Sequence, residues 1–376
     1  MDIGAFHTKK PESIDIESLG EELALIGIDI EERERSGSYY QIEGEVLRAL
    51  SMHPGLEILD LETALDKYGD LLREHYWKAV PVDMDKFTAL AELRGSGGYF
   101  VRVKRGHKVQ LPIQACLLMS MGGSLQAPHN IIIAEEDSEV SIVTGCMTMK
   151  EQVGLHAGAT EIYVGRGARV NFVMIHRWSR AMHIRPRTGV IVDEDGVFVS
   201  HYIAFTELRT LQMMPRVILG PNSRAFLSSI IVLDGGAEAD VGYYLELLGN
   251  GSSGQIISRS IVKDTSRVVA RARIVGRGRG TKGHIDCRGL LLSNGSRILT
   301  IPILDAPSRD IRLTHEAAVG RLEEDKILWL IARGFGREEA ESLLIRGFMN
   351  VGLPELPGVL TAMIDRTLRI ITKSML

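Results

Sequence analysis

Apolar residues change their spacing twice along the chain. Over residues 14–95 they recur at helical intervals, in IESLGEELALIGI, in QIEGEVLRALSMH (clearest from Glu43 to His53) and in LETALDKYGDLLREHYWKAV. In the last of these Leu61, Leu65, Tyr68, Leu71 and Leu72 fall on one helical face, and Pro81 ends it. From about Tyr99 to Leu313 the rhythm shortens. Runs such as YFVRV, NIIIAEE, VSIVTG, TEIYVG, RVNFVMI, RAFLSSIIVL, QIISRSIVK and DIRLTH are rich in Val and Ile and are punctuated by Gly, Asp, Asn or Ser. Helical spacing returns near Leu322. Glu323 to Arg333 is followed by Gly334 as a C-cap, and Arg337 to Arg346 is ended by Gly347. Beyond breaks at Pro354 and Pro357, Val359 to Thr372 is amphipathic.

The β-rich zone has a period. Its runs break near Asp137, Gly167, Asp195, Asn222, Gly235, Asn250, Thr265, Arg277, Asn294 and Ala306, at intervals of roughly 12–17 or 27–30 residues. A half-coil of about 14 residues and a full coil of about 28 fit these intervals. Two architectures accommodate the pattern: a sandwich or barrel of antiparallel strands, and a parallel β-helix whose stacked coils bury their inner faces on one another. The near-regular spacing and the lack of a Cys-Trp-Cys pattern favour the β-helix. The expected organisation is a helical region over 1–95, a β-helix core over 96–313 and a second helical region over 314–376.

Composition narrows the partners. The 376 residues are 45% hydrophobic with a net charge of −4, a globular balance that gives no reason to expect nucleic acid or an anionic membrane as partner. No run of about 18 apolar residues predicts a membrane span, and MDIGAFHTKKPESIDIE lacks the apolar segment of a secretion signal. The three cysteines, Cys116, Cys146 and Cys287, are too few and odd in number for a disulfide framework. They point to the reducing cytoplasm, where a functional cysteine acts as a thiolate or metal ligand. The histidines His129, His156, His176, His183 and His201 have no HExxH spacing, so zinc is not expected. GRGRG at Gly276–Gly280 lacks the GxGxxG spacing and setting, and no Walker A or GxSxG motif occurs. Arg267, Arg271, Arg273, Arg277 and Arg279 read as one solvated face of a strand.

GYFVRVKRGHKVQLPI, NIIIAEEDSEVSIVTGC, LHAGATEIYVGRGARVNFVMIHRW and LTHEAAVGRLEEDKILWLIARGFGREEAESLLIRGF, in that order, resemble the SufB/SufD family of scaffolds for iron–sulfur cluster assembly. The resemblance covers roughly residues 95–350. It implies a mainly β protein: a right-handed parallel β-helix flanked by N-terminal and C-terminal α-helical regions. It also implies a SufC-type ABC ATPase docked on the C-terminal helices, dimerisation through the β-helix, and a transient iron–sulfur cluster at the dimer interface. Cys287, in HIDCRGLLLSNG, stands at the place of the SufB cysteine thought to hold the cluster. Glu316 matches a SufB glutamate proposed as a second ligand. His315 matches both the neighbouring SufB histidine and the one SufD is thought to contribute, so a homodimer could supply what a heterodimer supplies elsewhere. Cys146 resembles a SufB cysteine implicated in accepting sulfur. The N-terminal helices match poorly, and the long N-terminal extension of bacterial SufB has no counterpart in this sequence.

Spacing argues for the same residues independently. His315 lies 28 positions after Cys287, about one coil, and stacked coils are about 4.8 Å apart. Thiolate, imidazole and carboxylate form a mixed iron-binding set that releases its cargo more readily than four thiolates. His284 is a candidate supporting residue. Cys146 precedes Cys287 by 141 residues, about five coils or roughly 24 Å. The plainer readings are that buried cysteines, Cys116 above all, are small core residues, and that His315 and Glu316 merely begin a helix. The C-terminal hairpin could simply cap the solenoid, although Trp329, Phe335 and Phe348 suggest a docking face.

The function expected is a scaffold for iron–sulfur cluster assembly and transfer, not an enzyme, served by a sulfur donor and passing clusters to apo-proteins. The alternatives are a SufD-like stabilising subunit without its own cluster and a β-helix carbohydrate-active enzyme, for which no acidic cluster is evident.

Overall fold

The computed structural model describes residues 2–11, 16–149, 151–206, 208–352 and 356–375. Residues 14–15 and the expected break at Pro354 lie outside them. After 3-10 turns at Ile3–Ala5 and Ile16–Leu19 comes helix α1 (Gly20–Leu25). A hairpin follows, β1 (Gly37–Ile42) and β2 (Glu45–Ser51), then β3 (Leu56–Asp60). The helix expected over Glu43–His53 is therefore a strand. Ile42 pairs with Glu45 across a two-residue turn, in which Glu43 takes the left-handed conformation at φ 50°. Pairing with β1 overrides the local spacing: Val46 packs on the core and Leu47 faces solvent. Three short helices come next, α2 (Leu61–Lys67), α3 (Gly69–Arg73) and α4 (Lys86–Leu93). Asp60 caps α2 through the Thr63 amide, and Asp85 with Thr88 forms a capping box on α4.

Strand β4 (Tyr99–Val103) leads into the solenoid. Its early coils use three strands each: β5 (Ile113–Met119), β6 (Ser124–Gln126) and β7 (His129–Ala134); β8 (Glu139–Thr148), β9 (Gly154–His156) and β10 (Ala159–Val164); β11 (Arg169–Arg177), β12 (Met182–Ile184) and β13 (Arg187–Val192); β14 (Val197–Thr206), β15 (Thr210–Met213) and β16 (Arg216–Leu219). The second and third strands of each coil are separated by Ala127-Pro128, Ala157-Gly158, Arg185-Pro186 or Met214-Pro215. Proline has no amide to give the ladder, so the chain turns a corner there. After β17 (Arg224–Leu233) the corner disappears. β18 (Glu238–Leu247) runs straight through, pairing with β15 over Glu238–Val241 and with β16 over Tyr244–Leu247. Gly242 stands at the lost corner, where a Cβ would lie 2.0 Å from the Arg271 carbonyl oxygen. The remaining strands are β19 (Ser253–Val262), β20 (Arg267–Gly276), β21 (Lys282–Leu291), β22 (Arg297–Asp305) and β23 (Arg312–Arg321).

The strands stack into a ten-stranded and a thirteen-stranded sheet, parallel throughout the solenoid, which excludes the sandwich and the antiparallel barrel. Register advances 27 residues from Val197 to Arg224 and 30 from Lys282 to Arg312, close to the expected coil. The expected breaks fall on turns. Asp137, Gly167, Asp195, Asn222 and Gly251 all have positive φ, and each donates its amide to a carbonyl of the next coil's turn. Asn and Asp adopt this conformation more readily than other side-chain-bearing residues. At one end β2 and β3 pair antiparallel with β1 and β4. At the other, β22 and β23 each have a parallel partner on one side only.

Two large apolar cores and three smaller clusters result. One large core fills the column. The other lies outside the ten-stranded sheet, under α1 and the C-terminal helices α6 (Arg337–Met349) and α7 (Gly358–Met375). On the far side, the segment after α3 is held by buried Glu161, whose carboxylate accepts from the Trp77, Ala79 and Val80 amides and from His129. Burial opposes ionisation there, but the His129 bond and those amides hold Glu161 below the usual carboxylate range. At the C-terminus strand pairing continues to Arg321, so His315 and Glu316 lie inside β23 and not at a junction with a helix. Helix α5 (Glu324–Ile331) follows, then Gly334 at φ 95° turns the chain into α6, which runs through Gly347 to Met349. Among the described residues no helix is long and apolar enough to cross a membrane.

Candidate functional site

Alternation along β21 and β23 decides where each candidate points. Ile285 and Cys287 belong to the inner core, and Leu313, in register with Gly283, packs against that core. Hence His315 and Ala317, in register with Ile285 and Cys287, also face inward. The coil here is 30 residues, so the direct partner of Cys287 is Ala317, with His315 diagonal to it on the same face. From strand spacing and rise their backbones lie roughly 8 Å apart. Among the described residues no strand stacks beyond β23, so His315 is exposed, whereas Cys287 is 0% exposed. Burial, helped by Asp286 and opposed by Arg259, pushes the Cys287 thiol up to about 11. Iron binding would have to displace that proton.

Glu316 takes the other face. In register with Asp286, it approaches Arg288 at 3.8 Å, while Asp286 bonds Arg288 at 3.0 Å and Arg259 at 2.7 Å. A single chain thus brings Cys287 and His315 to one face and leaves Glu316 in an ion-pair ladder on the other. Among the described residues no three His, Cys, Asp or Glu side chains are arranged to hold a metal ion. His284 bonds Thr314 at 2.8 Å on the same outer face as Glu316.

Cys146 lies inside the column on β8, 1% exposed, with its thiol raised by burial. Five strand steps, β8–β11–β14–β17–β19–β21, separate it from Cys287, which agrees with the spacing expected from sequence. Cys116 belongs to the outer core. Sequence reading passed over the residues around Cys146. His176 is its register partner on β11, and its Nδ1 lies 2.9 Å from the Tyr202 hydroxyl. The His176 ring centroid is 6.1 Å from that of His156 and 5.5 Å from that of Trp178. Burial lowers both histidines, His156 to about 3, and His156 further disfavours charge on His176. The signal was available: Cys146 to His176 is 30 residues, as is Gln126 to His156, which are also hydrogen-bonded at 2.9 Å.

Tyr202 begins an inward-facing file. Tyr202, Ser229, Ser258 and Cys287 are successive register partners, and the two serines are 3.4 Å apart. The column beside them is packed, with a void of about 20 Å³ lined by Met174, Ser200, Tyr202 and Tyr243 among others. An open cleft of about 610 Å³, lined by Met147, Thr148, Arg177 and Trp178 among others, adjoins the end of β8. At the other extreme of the chain, Leu328 and Trp329 of α5 are exposed, and Arg333 stacks over the Trp329 ring.

These features define a class: a parallel β-helix with helices at both ends and thiols held inside its column. The family model described as "SUF system FeS cluster assembly, SufBD core domain" matches residues 117–348. An "Iron-sulfur cluster assembly SufBD family protein" of Methanothermobacter thermautotrophicus is 38% identical over 361 residues, 94% of this chain and 88% of that relative. One from Archaeoglobus fulgidus is 36% identical, covering 95% of this chain and 96% of the relative. The "Iron-sulfur cluster assembly protein SufB" of Bacillus subtilis is 29% identical over 81% of this chain and 66% of its own length. The chain belongs to the SufBD family of iron–sulfur cluster assembly proteins.

Proposed function

We propose that the protein is a scaffold on which an iron–sulfur cluster is assembled and from which it is passed on, with Cys287 as the thiolate ligand and His315 and Glu316 as exchangeable ligands. The observation that carries this reading is the position of Cys287: a thiol one rung from the unpaired edge of the column, sharing its inner face with an exposed imidazole. A cluster is cargo here. Donors that are incomplete within one chain suit a site completed by a second copy, and the edge strands favour such pairing. Leu299, Ile303 and Val319 on β22 and β23 are 56%, 44% and 43% exposed, and long unpaired edges are natural templates for strand addition. In a homodimer each chain contributes its own Cys287, His315 and Glu316.

The exposed apolar face of α5, with Trp329 56% exposed, supports docking of a SufC-type ABC ATPase on the C-terminal helices. ATP-driven movement there would open or close the dimer seam and so expose or bury the ligands. Sulfur enters at Cys146 and moves inside the column, along the Tyr202–Ser229–Ser258 file, to Cys287. The packing in between requires side chains to move as it passes. The protein works in the cytoplasm, between a sulfur donor and apo-protein acceptors.

Anaerobic reconstitution of the chain with iron and sulfide tests the assignment. Cluster absorbance that disappears in Cys287→Ser, with folding intact, supports it; retained absorbance removes Cys287 from the site. No absorbance even in the wild-type homodimer favours a SufD-like stabilising subunit. Unchanged sulfur loading of Cys287 in Cys146→Ser would remove the interior route.

A further inference from the structure

We propose that His176 is the proton acceptor for Cys146 when that cysteine takes sulfane sulfur from a persulfide donor; this rests on the reading of Cys146 given above. Cys146 and His176 are register partners on adjacent parallel strands, so their side chains leave the same face of the sheet from backbones about 4.8 Å apart. His176 is fully buried. Its Nδ1 is engaged by Tyr202, while its Nε2 has no hydrogen-bond partner. A buried ring nitrogen without a partner is costly unless it has a use, because its desolvation is not repaid. With Nδ1–H donated to the Tyr202 oxygen, Nε2 keeps a free lone pair on the sheet face that also carries the Cys146 thiol.

The surroundings explain why the thiol needs this help. The titratable groups facing the pair are Tyr202 from β14, His156 from β9, Tyr99 from β4 and, on the reverse side of β5, Cys116. Burial keeps all four neutral at neutral pH: it raises the two tyrosines and Cys116 and lowers His156. None of them offers a cation to a bare thiolate. Burial opposes charge on His176 as it does on Cys146, so the two charges appear together, imidazolium with thiolate, and the site stays neutral overall.

The transfer then balances. The Cys146 thiol proton passes to Nε2 of His176, and the thiolate attacks the outer sulfur of the donor persulfide. An S–S bond forms at Cys146 as the donor's own S–S bond breaks. The donor's inner sulfur leaves as a thiolate and takes up a proton, restoring neutral His176. Cys146 is left as a persulfide, with no net oxidation. Trp178 packs beside both His176 and His156 and also lines the neighbouring cleft, which provides an approach for the donor.

The test uses the full chain with inorganic polysulfide as donor and follows, by mass spectrometry of the Cys146 peptide, the gain of one sulfur atom as a function of pH. The wild type should load at a rate that is nearly flat around neutrality. His176→Gln keeps an N–H donor for the Tyr202 oxygen but cannot take a proton. It should load on the order of 10²-fold more slowly at neutral pH, recovering as pH rises and the thiol ionises unaided. A wild-type rate and pH profile in His176→Gln overturns the proposal while leaving Cys146 as acceptor. If wild-type Cys146 gains no sulfur, the reading of Cys146 fails and this proposal with it. If His176→Gln does not fold, Tyr202→Phe carries the test: its profile should move to higher pH, and an unmoved profile overturns the assignment.

Discussion

In the first half of the column each coil is built from three strands, and Cys146 is sealed inside among His156, His176, Trp178 and Tyr202. In the second half a coil needs two strands, and the register partner of Cys287 on the preceding strand is the small residue Ser258. The thiols differ accordingly. Cys146 is remote from either end, whereas Cys287 lies beneath a single exposed rung. Polar rings surround Cys146 in the three-strand part, whereas Cys287 lies close to the surface because, among the described residues, one rung alone stacks beyond it. One fold therefore offers two thiol environments.

The sharpest way to break this comparison is cluster reconstitution. Cys287→Ser should abolish the absorbance, and Cys146→Ser should retain it when free sulfide is supplied, because the proposed cluster forms at the end rung. Equal losses would show that the two positions are not distinct. Native alkylation comes next. Cys287, one rung from solvent, should react at least about 10-fold faster than Cys146, which waits on deeper opening. Its rate should climb with pH toward about 11, since the thiolate is the reactive form and burial delays its appearance. Stability gives a smaller contrast. Ile162→Ala in the sealed half should cost about 2–5 kcal/mol in denaturant melts, whereas Leu299→Ala on the exposed rung should stay within about 0.5 kcal/mol. Val319→Lys should leave the monomer's stability within that same small margin of about 0.5 kcal/mol while weakening self-association in sedimentation. Unchanged association would place the seam elsewhere.

Much of this was legible in the sequence. Asp137, Gly167, Asp195 and Asn222 marked turns because a coil needs a left-handed residue at each one, and few residue types tolerate that conformation. The five-coil separation of the cysteines followed from the period. The Glu43–His53 strand did not, because its pairing with β1 comes from the tertiary structure, though the Glu43-Gly44 turn was a local hint. The prolines at 128, 186 and 215 mark three of the four corners, and Gly158 stands at the fourth. For the site, spacing brought Cys287 and His315 to one face. Glu316 follows His315 directly, and period-two alternation sends it to the opposite face, so adjacency in sequence suggested a convergence that one strand cannot provide.

At one end of the column the outermost strands, β2 and β3, run antiparallel to their neighbours; at the other, β22 and β23 run parallel to theirs, so the two ends carry different edges. In the proposed homodimer, two copies joined through β22 and β23 present only their antiparallel edges to the outside. That contact uses the same edge of both copies, so it would close at two and not repeat into a fibre, although the edge is a bare ladder in each chain.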